Sequence, residues 1–135
     1  MFYHVFSKRT IIDRKGNDKV VTEQFLVKDM TYFGQAEEKV LDLYNAENDV
    51  CAMKRSSIAS ILNHRADERQ HIYTAIFEEI FEDAKGVEKT TRTTYGLFAF
   101  NMDDAAKIAK EILAPSSNER SSIVEVKKTH ILDII

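Results

Sequence analysis

Apolar and polar residues alternate along this chain, give way to helical spacing, and then repeat the whole sequence of patterns. From Phe2 to Ile12 the residues are rich in aromatic and β-branched types, which predicts a strand. Later in the chain Tyr73, Ala75, Phe77 and Phe81 share one parity, interrupted by Glu79, the mark of a half-buried strand. After each run comes a charged loop, "DRKGNDK" (Asp13 to Lys19) and "DAKGVEK" (Asp83 to Lys89), both of the form Asp-x-Lys-Gly-x-(Asp/Glu)-Lys. Glycine reaches positive φ without strain, so each loop is expected to close a hairpin. The return strands run roughly from Val20 to Val27 and from Lys89 to Phe100. Helical stripes follow: Ala36, Val40, Leu43 and Tyr44 in the first half, and Ala105, Ile108, Ala109, Ile112 and Leu113 in the second. Thr31 and Asn101 are the candidate N-caps, and Asp103 and Asp104 suit the positive end of a helix dipole.

Registering Gly16 on Gly86 also sets Tyr3 on Tyr73, Asp13 on Asp83, Lys19 on Lys89 and Phe25 on Tyr95. A second match aligns Met53 to Leu62 with Val126 to Ile135, pairing Lys54 with Lys127, Arg55 with Lys128, Ser56 with Thr129, Ile58 with Ile131 and Ile61 with Ile134. The offset grows from 70 to 73 between the two matches, which places an insertion of three in the loop Ala114 to Glu119, home of the one proline. Two matches in the same order predict a tandem duplication. The expectation is a single α+β domain of two repeats, 1–62 and 71–135, joined by the polar stretch 63–70. Each repeat reads strand-strand-helix-strand, giving about six mainly antiparallel strands and two helices, with the helices covering one sheet face.

A length of 135 residues supports one domain with a small core. The net charge of −3 argues against a dedicated binder of long nucleic acid, which carries a basic excess, but leaves room for a local basic site. A single cysteine, Cys51, excludes an intramolecular disulfide and fits a reducing compartment. No signal peptide is visible at the N-terminus and no apolar stretch approaches the ~20 residues of a membrane span, so the expected location is cytoplasmic.

Motifs for chemistry are sparse. Cys51 and the four histidines, His4, His64, His71 and His130, form no nucleophile–base or metal-ligand spacing. No catalytic residue, metal or cofactor is expected. The acidic run Phe77 to Asp83 has no acidic counterpart in the first half, where Lys8 and Arg9 align with Glu78 and Glu79. One hairpin therefore reads as basic and the other as acidic, facing each other across a sheet or between subunits.

The closing strands carry the sharper pattern. Read as one face of a continuous strand, the first repeat gives Cys51, Met53, Arg55, Ser57, Ala59 and Ile61, and the second gives Val124, Val126, Lys128, His130, Leu132 and Ile134. A cation followed by a hydrogen-bonding residue interrupts an apolar face at the same place twice. Such a cation is solvated, paired or bound to an anion. Arg55 and Lys128, with Lys54, Lys127, Ser57 and His130, are the candidate ligand-binding residues for a small anion such as a nucleotide with two phosphates. The competing expectation is that Arg55 and Lys128 leave a sheet edge into water or pair with Glu78 or Glu79.

The segments "MFYHVFSKRT", "VTEQFLVKDMTYFGQAEEKV" and "THILDII" resemble a family of short uncharacterised proteins from Bacteroidota and their phages, catalogued as a domain of unknown function. The resemblance implies no catalytic residues; it implies a bacterial or phage context, with host cytoplasm as the location in the latter case. The functional expectation is a non-enzymatic binding protein sequestering a small anionic, nucleotide-like ligand. The alternative is a protein-protein interaction or structural accessory module that binds an acidic partner. Exposed sheet edges predict a homodimer or larger homo-oligomer.

Overall fold

The computed structural model describes residues 1–29, 34–44, 49–116 and 118–135. The chain divides into two compact units, Met1–Ser56 with His130–Ile135, and Ser57–Thr129. The first unit contains β1 (Phe2–Ile12), β2 (Asp18–Lys28), α1 (Gly34–Tyr44) and β3 (Asp49–Arg55). The second contains β4 (Ile58–Ile61), β5 (His71–Glu82), β6 (Glu88–Ala99), α2 (Met102–Leu113) with a 3₁₀ turn at Ala114–Ser116, and β7 (Ser122–Lys128). The final strand, β8 (Ile131–Ile134), returns to the first unit.

The architecture is α+β, with two helices and eight strands in two mixed sheets among the described residues. The strand orders are β3-β1-β2-β8 and β4-β6-β5-β7. The count of six expected from sequence is thus corrected to eight, because each presumed closing strand is two strands in different sheets. The reason lies in the register. β3 runs antiparallel to β1 and reaches Tyr3 with Arg55, next to the end of its partner. β7 likewise reaches Tyr73 of β5 with Lys128. With its partner exhausted, the backbone must find another. The Ser56 amide donates to the Phe2 carbonyl at 3.0 Å and the Thr129 amide to the Ile72 carbonyl at 3.1 Å. Beyond these bonds β4 pairs in parallel with β6, and β8 in parallel with β2.

Both glycine loops close hairpins by the same chemistry. Gly16 and Gly86 sit at φ of 77° and 74°. Asp13 Oδ1 accepts from the amides of Lys15 and Asn17 at 2.9 and 3.0 Å, and Asp83 Oδ1 accepts from those of Lys85 and Val87 at the same two distances. An Asp side chain that bonds the backbone ahead of it organises the turn, and glycine supplies the left-handed residue.

Each helix covers one face of its own sheet. In the first unit Val5, Phe25 and Val27 pack with Ala36 and Val40, flanked by Tyr3 and Met53. In the second unit Tyr73, Ala75, Leu97 and Ala99 pack with Ala105 and Ala109, flanked by Ile108 and Val126. Asn101 caps α2, its side chain accepting from the Asp104 amide at 2.8 Å. The other cap expected from sequence, Thr31, and the side chains of Leu43, Tyr44 and Cys51 lie outside the described residues. Two apolar expectations are corrected. Ile112 is 40% exposed because it lies off the α2 stripe, and Phe81 is 41% exposed because β7 stops opposite Glu78 and leaves that end of β5 uncovered.

The polar stretch 63–70 is structured. Asn63 brackets Phe98: its Nδ2 donates to the Phe98 carbonyl at 2.9 Å and its Oδ1 accepts from the Phe98 amide at 2.7 Å. The amide side chain thereby continues the ladder that β4 begins. Gln70 is buried, and its Oε1 accepts from the amides of Ala66 and Asp67.

Candidate functional site

The six residues singled out by sequence distribute over the two units. Lys54 and Arg55 end β3, and His130 leads into β8, in the first unit. Lys127 and Lys128 end β7, and Ser57 leads into β4, in the second. All six are exposed. The expectation that Arg55 and Ser57, or Lys128 and His130, share one continuous strand face is corrected by the crossing at 56–57 and 129–130 described above. Each cation pair therefore keeps its lysine–cation sequence but parts from the polar residue that follows it.

β3 and β7 are outermost in their sheets, so one backbone edge of each has no strand neighbour among the described residues. Their cations occupy equivalent registers: Arg55 opposite Tyr3 and Lys54 opposite His4, Lys128 opposite Tyr73 and Lys127 opposite Thr74. By strand alternation Arg55 lies on the helix-covered face of its sheet and Lys54 on the other. No ion pair engages Arg55, Lys127 or Lys128 among the described residues. Glu78, one of their two candidate internal partners with Glu79, is held instead by Arg92 across the β5–β6 hairpin at 2.7 Å. Arg9 and Glu23 pair within the β1–β2 hairpin.

Around Lys54 the first unit builds a small polar–aromatic cluster that sequence did not reveal. His4 stacks on Phe6 with ring centroids 4.5 Å apart and planes 17° from parallel. Lys54 Nζ stands 5.6 Å from the Phe6 centroid, a cation–π contact. His4 Nε2 lies 2.7 Å from Gln24 Oε1, so the neutral ring donates its Nε2–H there. Burial, with a smaller push from Lys54, holds the His4 pKa below its ordinary value despite the opposing bond to Gln24. The folded protein therefore binds a proton at His4 less readily than the unfolded chain does. Stability through this group is complete above the unfolded pKa of ~6.5 and falls as pH drops below it. Melting temperature should decline between pH 7.5 and pH 5, and His4→Gln should remove part of that decline; an unchanged slope would contradict the assignment. The signal was unreadable in sequence because His4, Phe6, Gln24 and Lys54 come from three strands.

A cleft of about 390 Å³ in the second unit is lined by Phe77, Lys110, Leu113, Ser121, Ser122 and Ile123. None of the six candidate residues lines it. No helix among the described residues is long and apolar enough to cross a membrane.

Comparison with known proteins matches the chain from residue 1 to residue 135 to a family described as a domain of unknown function, DUF4494. No curated protein and no solved structure matches it.

Proposed function

The chain belongs to the DUF4494 family, and from that starting point we propose that it is a non-enzymatic binding module whose outer strands β3 and β7 receive an extended acidic segment of a partner protein. One observation carries this reading. β3 and β7 each offer a backbone edge that is open among the described residues and end in an exposed cation pair at the same register, Lys54–Arg55 and Lys127–Lys128. Main-chain bonds along such an edge supply affinity without sequence preference, and flanking cations select acidic chains. Two equivalent sites would also let one partner with two acidic segments bind with avidity.

The same cations support a second reading, sequestration of a small nucleotide-like anion by Arg55 and Lys128. The two readings differ in what they need from the backbone: a peptide uses the strand edge, whereas a small anion uses only the side chains. The matching turns, bulges and crossing bonds of the two units further support reading the chain as a tandem duplication, which makes both sites products of one ancestral strand.

The test compares a seven-residue peptide alternating glutamate and valine with pyrophosphate and ADP. Calorimetric titration should detect the peptide and show binding that weakens with salt. Arg55→Ala and Lys128→Ala should each weaken a site by about 1–3 kcal/mol per lost charge-assisted contact. Melting temperature should hold, because both side chains are exposed. Tight binding of pyrophosphate or ADP without binding of the peptide would favour the small-anion reading. Unchanged peptide affinity in the double variant would remove both.

A further inference from the structure

Each sheet extends past its outer strands as a two-stranded ribbon. β3 stops pairing with β1 at Lys8, and β8 pairs with β2 no earlier than Gln24, so among the described residues 9–12 and 18–21 pair only with each other. In the second unit β7 stops at Glu78 and β4 begins at Thr94, leaving residues 79–82 and 88–91 in the same position. A two-stranded ribbon is marginally stable by itself in water, and its open edges invite a further strand.

These ribbons also expose apolar side chains that the cores do not use. Ile12 and Val20 are 73% and 63% exposed on the first, and Phe81 and Val87 are 41% and 53% exposed on the second. Their charges are opposite. Residues 9–21 carry four basic and two acidic side chains, whereas the equivalent residues 79–91 carry four acidic and two basic. The ribbons share their turn chemistry and their strand lengths to within one residue, and differ chiefly in sign.

We propose that the ribbons are a self-association surface, the basic ribbon 9–21 of one copy docking on the acidic ribbon 79–91 of a second copy. Arg14, Lys15 and Lys19 meet Glu79 and Glu82 in this pairing, while the exposed apolar residues of the ribbons are removed from water. Like ribbons repel, so the pairing is basic to acidic only. This surface is separate from the cation pairs that end β3 and β7.

Sedimentation of the full chain tests it directly. The unmodified protein should associate at tens of micromolar in ~50 mM salt and dissociate as salt rises. Reversing the basic ribbon (Arg14→Glu with Lys19→Glu) should weaken association at least about tenfold, as should reversing the acidic one (Glu79→Lys with Glu82→Lys). An equimolar mixture of the two reversed proteins should associate again, since one now carries two acidic ribbons and the other two basic ones. Circular dichroism on each variant establishes that it is folded. A monomeric unmodified protein would overturn the proposal, as would association indifferent to either reversal, or a mixture of folded variants that stays monomeric.

Discussion

Gly96→Leu should destabilise the second unit by about 1–3 kcal/mol, the usual cost of forcing extra methylenes into a packed site. Gly96 lies in β6 where β4 runs alongside. A Cβ built there would stand 2.6 Å from Ile61 Cδ1 and 3.4 Å from Ile58 Cγ2. Ile61 Cδ1 is the far end of a flexible side chain, so alanine can be accommodated by a rotamer change at smaller cost. Leucine cannot, because Ile58 is itself buried and blocks the same space. The comparison is informative because Leu26, the equivalent residue of the first unit, is leucine and fully buried. The strand that crosses into each sheet has therefore been fitted to a different floor. Chemical denaturation of Gly96→Ala and Gly96→Leu measures this; a leucine variant as stable as the parent would show that β4 does not lie against β6.

Asn63→Ala should cost about 2–3 kcal/mol, again in the second unit. The mutation deletes two hydrogen bonds and leaves both the N–H and the C=O of Phe98 without their partner in a half-buried setting. An orphaned polar group costs more than the net value of the bond that served it. Asn63→Asp is the discriminating variant, because a carboxylate can accept from the Phe98 amide but cannot donate to its carbonyl. It should fall between the parent and alanine near neutral pH. Equal stability of all three proteins would mean that water replaces the amide without loss.

Much of the local architecture was legible. Asp13 and Gly16, like Asp83 and Gly86, specify their hairpins with their own side chains and backbone, so the turns could be read from seven residues. Asn101 caps α2 for the same local reason. The crossing of β4 and β8 was not legible, because the polar runs Lys54 to Ser57 and Lys127 to His130 that mark it fit a solvated or ligand-binding part of one strand as well as a break between two. What ends β3 and β7 is the end of their partners, β1 and β5, and pairing with distant strands leaves no mark on a short window. Stretch 63–70 misled in another way. Asn63 and Gln70 look like solvated linker residues, yet they act as substitutes for backbone.

The candidate site was legible in part. The equivalence of Arg55 and Lys128 followed from alignment of the halves, and both do end outer strands. The inclusion of Ser57 and His130 assumed strand continuity, and the crossing assigns each to the other unit. His4, Phe6 and Gln24 around Lys54 were missed, since only the sheet register brings them together.

In the proposed function, β3 and β7, which end in paired cations, receive an acidic chain. Amide-resolved NMR titration of the full protein with the alternating glutamate–valine peptide tests this most directly. Shifts should concentrate on β3 and β7, strongest at Lys54, Arg55, Lys127 and Lys128, and should vanish in the Arg55→Ala, Lys128→Ala double variant. Shifts confined to the cleft around Lys110 and Ser122, or absent at millimolar peptide, where even a weak specific site with a dissociation constant of about 1 mM would be half-filled, would contradict it.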